Sequence, residues 1–316
     1  ALLTGLYPHQ AGVGALNRVP GYANYQGYPN ENNVFIPRTL DGAGYFSVMT
    51  GKWHLGFEQG VTPISRGFDR SFNAPFGGYY FSNDPTKKKN GRPVSENNLY
   101  RNDTVVPFDS PLLPDDWYST HLWVDQGLKF IDEAVGKGEP FFWYLAHNAP
   151  HFPIQAPAAT IAKHRGNYMD GWETVRNRRY ARQVEMGLFS PSDPLTPRNP
   201  KVPLWDSLSR KEQERYDMQM AIYAAVIEEV DNSIGRITGY LKEKGIYDNT
   251  LILFLSDNGG NGEPGIEGRF VGSDPGAAGS SVFLGAAWAD VANTPYFLYK
   301  HHAHEGGCNT PLIISY

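Results

Sequence analysis

Four short apolar runs punctuate the chain, at 45–49 (YFSVM), 140–146 (PFFWYLA), 250–256 (TLILFLS) and 311–316 (PLIISY). Each has the length and the aromatic or β-branched content of a buried strand. The first three run straight into polar clusters, TGKWHLG, HNAPHFP and DNGGNG. Between the second and third lies a long helical pattern, 209–244, in which Met220, Tyr223, Ala224, Ile227, Val230, Ile234, Ile237 and Leu241 recur at three- and four-residue steps. Ser209 with Glu212 predicts a capping box at its start, Gly245 a stop at its end, and the stripe predicts core packing. A second helix is predicted over 117–136, with Leu122, Leu128, Ile131 and Val135 facing inward.

Helix followed by strand, twice over, predicts a layered α/β fold. In open sheets of that class ligands bind beyond the carboxyl ends of the strands, which is where the polar clusters fall. Two stretches are less regular: a turn-rich basic loop at 83–93, and a long insertion at 153–208 that carries Arg165, Arg176, Arg178, Arg179 and Arg182. Those arginines read as a solvated helix face with exposed loops, or more sharply as a rim that attracts an anionic substrate. No repeat, low-complexity stretch or linker divides the chain, so a single domain over 1–316 is expected.

Composition narrows the class of partner. A net charge of −5 is the wrong sign for a general nucleic-acid binder. The longest apolar runs fall far short of the roughly 20 residues of a membrane helix. The single cysteine, Cys308, cannot form an intrachain disulfide and is expected to be a small buried residue.

Candidate chemistry gathers at the strand ends. Asp257 and Asn258, followed by Gly259 and Gly260, offer hard oxygen donors suited to Ca²⁺ or Mg²⁺. Lys52 and His54 are two residues apart, which in extended chain puts both on one side, an ammonium beside an imidazole. His151 lies between Pro150 and Pro153, with His147 as the nearer rival. In YKHHAHEGGCNTP, His301, His302 and His304 match none of the usual zinc spacings, whereas Lys300 is a further cation for an anion. Together these groups suit a tetrahedral anionic ester held by a metal and by cations.

Taken jointly, LTG at Leu3, Thr4 and Gly5, GKWHLG at 51–56, the APHFP loop, the SDNGG loop and the KxxxxEGG approach to a strand resemble the formylglycine-dependent sulfatase family, within the alkaline-phosphatase-like superfamily. The run NTPYFLYKHHAHEGG is most similar to its arylsulfatase branch. The resemblance implies a mixed, mostly parallel sheet flanked by helices, and a sulfuric ester hydrolase acting on an aryl or carbohydrate sulfate. It implies Asp257 and Asn258 as two Ca²⁺ ligands (Mg²⁺ less so), Lys52 and Lys300 on sulfate oxygens, His151 on sulfate and as acid to the leaving oxygen, and His54 on a hydrated formylglycine. It also implies maturation by a formylglycine-generating enzyme and a periplasmic or secreted location. The family's nucleophile cysteine belongs six residues before Ala1, its signature arginine two before, and its paired aspartates further upstream, while its smaller C-terminal domain belongs after Tyr316. The chain is therefore expected to be a domain truncated at both ends and inert by itself. Alternatives are a phosphonate monoester hydrolase or phosphodiesterase of the same superfamily, and a non-catalytic module that binds sulfated glycan.

Overall fold

Two short helices, α1 (Pro8–Ala11) and α2 (Ile36–Asp41), precede the first predicted strand, which in the computed structural model is β1 (Phe46–Lys52). The structure describes residues 1–15, 21–77, 80–84, 88–89, 92–93, 98–108 and 110–316. The chain divides into two compact units, 1–148 and 149–316.

In the first unit β1 is the middle of a parallel trio. It pairs with β2 (Arg70–Ala74) on one side and with the second predicted strand, β7 (Phe141–Ala146), on the other, Thr50 lying opposite both Phe72 and Leu145. Two short antiparallel strands, β5 (Leu99–Arg101) and β6 (Thr104–Val106), extend the edge to give the order β6-β5-β2-β1-β7. The basic loop at 83–93 falls partly outside the described residues; within it β3 (Lys88–Lys89) pairs with β4 (Arg92–Pro93). The second predicted helix is α3 (Ser119–Lys137), and it packs on this sheet. Gly127 makes the approach possible, because a Cβ there would lie 1.9 Å from Trp143 Cζ2. Trp143 in turn donates from Nε1 to Thr50 Oγ1 at 2.9 Å, tying β7 to β1 through side chains as well as backbone. A core of Leu3, Phe35, Met49, Trp53, Val61 and Phe68 fills the same unit. The sheet is thus mixed, parallel at its centre and antiparallel at one edge, as the α/β reading expects.

His147, just beyond β7, gives this unit a pH dependence. Burial, with the charge of His121 second, pushes its imidazole from 6.5 down to about 4. A histidine held neutral in the fold binds its proton more readily when unfolded, so its contribution is complete above pH 6.5 and is lost as pH falls toward 4. Unfolding free energy should therefore drop between those values, with a slope of up to about 1.4 kcal/mol per pH unit. Denaturant titrations at pH 7, 6 and 5 check this, and His147→Gln should flatten the slope.

The second unit is built on α6 (Arg210–Glu243), preceded by α4 (Ala158–His164) and α5 (Gly171–Glu185). Its capping box forms as predicted: Glu212 N–H donates to Ser209 Oγ, and Ser209 N–H donates to Glu212 Oε2 at 2.8 Å. One member of the predicted stripe is misplaced. Ile227 is 44% exposed, because the inward face runs instead through Tyr216, Met220, Ala225, Val226, Glu229 and Ser233. Polar groups on α6 hold the inserted segment: Asp217 accepts from Gly166 N–H, Tyr168 N–H and Arg165 Nη1, and Glu228 binds His164 Nε2 at 2.7 Å and Lys163. Trp172, Trp205, Tyr216, Met220 and Trp288 form the centre of the core.

The third predicted strand, β8 (Ile252–Leu255), joins no parallel array in this unit. Its partner is the fourth predicted strand, β11 (Leu312–Ser315), in an antiparallel ribbon that places Leu253 opposite Ile314. A second ribbon pairs β9 (Arg269–Val271) with β10 (Ser281–Phe283), followed by α7 (Gly285–Ala292) and a single turn, α8 (Glu305–Cys308). Among the described residues no helix is long and apolar enough to cross a membrane.

Candidate active site

Lys52 and His54 lie where β1 ends. Lys52 is its last residue, paired with Ala74, and the chain then turns. Gly51, at φ 109°, is required by the packing of the strands: a Cβ on it would meet Ala146 O at 2.0 Å. Trp53 is buried against Phe35 and Phe68 and donates from Nε1 to Val61 O, which anchors the segment. His54 has φ 49°, so the extended-chain rule that puts residues two apart on one side stops applying at this position. It is exposed, its N–H donates to Pro75 O at 2.9 Å, and its ring meets the Phe76 ring edge-on at 5.6 Å.

The turn after β2 thus packs against the end of β1, and Gly77 in it is a residue that no sequence motif marks. A Cβ on Gly77 would lie 2.8 Å from Lys52 Cδ and 3.0 Å from Nζ. The far end of a lysine yields more easily than backbone, so Gly77→Ala should leave the fold intact and displace the ammonium. If Lys52 holds an anion, Gly77→Ala should cost about tenfold or more in kcat/KM, and nothing further on a Lys52→Ala background. A double-mutant cycle measures this.

The remaining candidates belong to the second unit. His151 Nδ1 is 2.7 Å from Phe152 O, the geometry of an Nδ1–H donor. The imidazole stacks on Phe152 at 4.4 Å, and Phe152 stacks on Phe283 of β10 at 4.2 Å. Ile154 N–H donates to Val282 O and Gln155 Nε2 to Ser280 O, each at 2.9 Å, so the loop carrying His151 is sewn to β10. The stack had no sequence signal, since Phe283 is distant in the chain.

Asp257 and Asn258 follow β8. Asp257 is exposed, and Asn258 Nδ2 donates to Gly259 O at 2.9 Å, which turns its Oδ1 the other way. The two side chains offer at most three hard oxygen donors, the chemistry a Ca²⁺ or Mg²⁺ ion takes, but three are fewer than the six to eight of a calcium shell. Among the described residues no three His, Cys, Asp or Glu side chains converge on a metal position. The residues present therefore fit part of a hard-cation site.

Lys300 is brought to that loop by backbone. Its N–H donates to Gly260 O at 3.0 Å, and Gly259 N–H donates to Gly307 O at 3.1 Å. The two segments touch so closely that a Cβ on Gly259 would fall 1.8 Å from Gly306 O. The neighbouring histidines are occupied otherwise. His301 Nε2 meets Glu263 Oε1 at 2.7 Å, His302 packs on Tyr299 and His304 on Phe297.

Two expectations are corrected in this unit. Cys308 is exposed, its Sγ donating to His304 O at 3.3 Å, because the buried positions of the short turn it ends are taken by Gly306 and Gly307. Arg176 belongs neither to a solvated face nor to a rim. It is 6% exposed, donates to Thr196 O and Oγ1 at 2.7 Å and faces Asp290 at 3.8 Å. Arg178 and Arg182 are exposed and paired with Asp170 and Glu185, as a solvated face requires.

A family model described as Sulfatase matches residues 1–316. An arylsulfatase of Klebsiella aerogenes is 34% identical over 334 residues, covering 99% of this chain and 69% of its own length. An uncharacterized sulfatase of Schizosaccharomyces pombe is 33% identical over 344 residues, covering 100% of this chain and 60% of its own length. Among solved structures, Ps i-CgsB in complex with k-i-k-neocarrahexaose superposes with a TM-score of 0.62 at 26% identity, over 99% of this chain and 53% of that one.

Proposed function

This chain belongs to the sulfatase family, and from that premise we propose that the protein hydrolyses sulfate esters of an aryl alcohol or a carbohydrate. The observation that carries the reading is the bond from Lys300 N–H to Gly260 O, which ties a cationic side chain to the oxygen-donor loop of Asp257 and Asn258. A cation beside hard oxygen ligands suits an anion that a metal and an ammonium hold together.

In this reading Lys52 and Lys300 bind sulfate oxygens and oppose the charge that grows on them. His151 donates from Nδ1 to Phe152 O, so as an imidazolium it gives its Nε2 proton to the departing oxygen and is left as the neutral Nδ1–H tautomer. The stack on Phe152 fixes the plane of that ring. His54, at the turn beyond β1, accepts a proton on the nucleophile's side. Asp257 and Asn258 would hold a Ca²⁺ ion through their side-chain oxygens, and that ion would supply positive charge against the sulfate, while a hydrated formylglycine made by a formylglycine-generating enzyme would supply the attacking oxygen.

The complete protein, incubated with 4-nitrophenyl sulfate, should release sulfate detectable by ion chromatography. EDTA should abolish the release, and Ca²⁺ should restore it better than Mg²⁺. No sulfate from any aryl or sugar sulfate would sink the proposal.

A further inference from the structure

Asn293 follows α7, more than thirty residues beyond the oxygen-donor pair, yet its side-chain amide touches three segments at once. Its Oδ1 accepts from Gly260 N–H at 2.9 Å, and its Nδ2 donates to Ala289 O at 2.8 Å and to Leu298 O at 3.3 Å. Gly260 follows the oxygen-donor pair, and Leu298 lies two residues before Lys300. Ala289 belongs to α7, whose buried face packs into the core of the unit. The orientation of the amide is determined by its neighbours: the opposite flip would set oxygen against two carbonyls and nitrogen against an N–H.

We propose that Asn293 is a positioning residue that sets the spacing between the Asp257–Asn258 loop and Lys300, so that cation and anion are held at matched distance. The inference rests on the proposed function, and it deepens it by naming what registers the two halves. Gly260 is held twice, its N–H by Asn293 and its O by Lys300 N–H. Leu298, with φ 64°, is the bend that redirects the chain toward Lys300, and Asn293 grips the carbonyl at that bend. Without the amide, three backbone groups that converge on one point lose their common partner.

Two substitutions separate the halves. Asn293→Asp keeps an acceptor for Gly260 N–H but replaces the donor by an oxygen facing two carbonyls, so the bonds to Leu298 O on the Lys300 side and to Ala289 O of α7 are lost while the Gly260 side is kept. Asn293→Ala releases all three. In the complete protein, Asn293→Asp should raise KM for an aryl sulfate and the inhibition constant of inorganic sulfate by about tenfold, while Ca²⁺ affinity measured by calorimetry holds. Asn293→Ala should weaken both sulfate and Ca²⁺. Hydrogen exchange by NMR gives a readout independent of activity: the Gly260 amide should stay protected in Asn293→Asp and lose about tenfold or more of its protection in Asn293→Ala. Wild-type Gly260 protection with unchanged KM in Asn293→Ala overturns the proposal, as does an equal loss of Ca²⁺ and sulfate affinity in both variants. If the wild-type protein proves inactive on sulfate esters, the proposed function fails, and the exchange and calcium measurements still decide the role of Asn293.

Discussion

His151→Ala is expected to lower kcat by about 10²–10⁴-fold on sulfate esters of alkyl or sugar alcohols, and far less on esters of acidic phenols. A poor leaving oxygen needs a proton as it departs, whereas a nitrophenolate leaves without one. The proposed acid role rests on the hydrogen bond from Nδ1 to Phe152 O, which leaves Nε2 for the substrate, and on the stacking of the ring in a column with Phe152 and Phe283. The measurement is kcat against leaving-group pKa for wild type and variant. A steeper dependence in the variant supports the acid role, and a uniform loss across all leaving groups would assign His151 to binding alone.

The second large effect is structural. Gly306→Ala would bring a Cβ to 2.0 Å from Leu298 O and 2.6 Å from Phe297 O, and both obstacles are backbone. No side chain can swing aside, so the segment carrying Lys300 must move. Destabilisation of about 3 kcal/mol or more is expected, at the upper end of overpacking. Gly235 in α6 is the control, because a Cβ there meets nothing within 4 Å. Gly235→Ala should stabilise by about 0.5–1 kcal/mol, since alanine loses less backbone entropy in a helix. Denaturant midpoints measure both.

Much of this arrangement is local and therefore legible in sequence. β1, β7 and α6 announce themselves through uninterrupted apolar runs and a capping box, and the GKWHLG stretch singles out Lys52 and His54 by residue type, although the turn at His54 undoes the same-side placement that their spacing suggests. What escapes are contacts that depend on which segments meet. β2, β5 and β6 are short and mix polar with apolar residues, so neither periodicity nor composition flags them. β8 has the same apolar run whether its partner is parallel or, as found with β11, antiparallel. Arg176 looks like its exposed neighbours on α5 until Thr196 and Asp290 fold against it. Gly77 carries no motif, and Asn293 opens the NTPYFLYKHHAHEGG run without any sign there of what it touches, because one matters for the volume it leaves to Lys52 and the other for three backbone groups brought to it.

The most direct measurement is the ratio of kcat/KM for an aryl sulfate to that for an aryl phosphodiester and an aryl phosphonate monoester, each with the same phenol as leaving group, on the complete protein. The phenol cancels intrinsic leaving-group differences, so the ratio reports what the anion site prefers. A clear preference for the sulfate is predicted. A clear preference for the diester or the phosphonate would contradict the sulfate-ester reading.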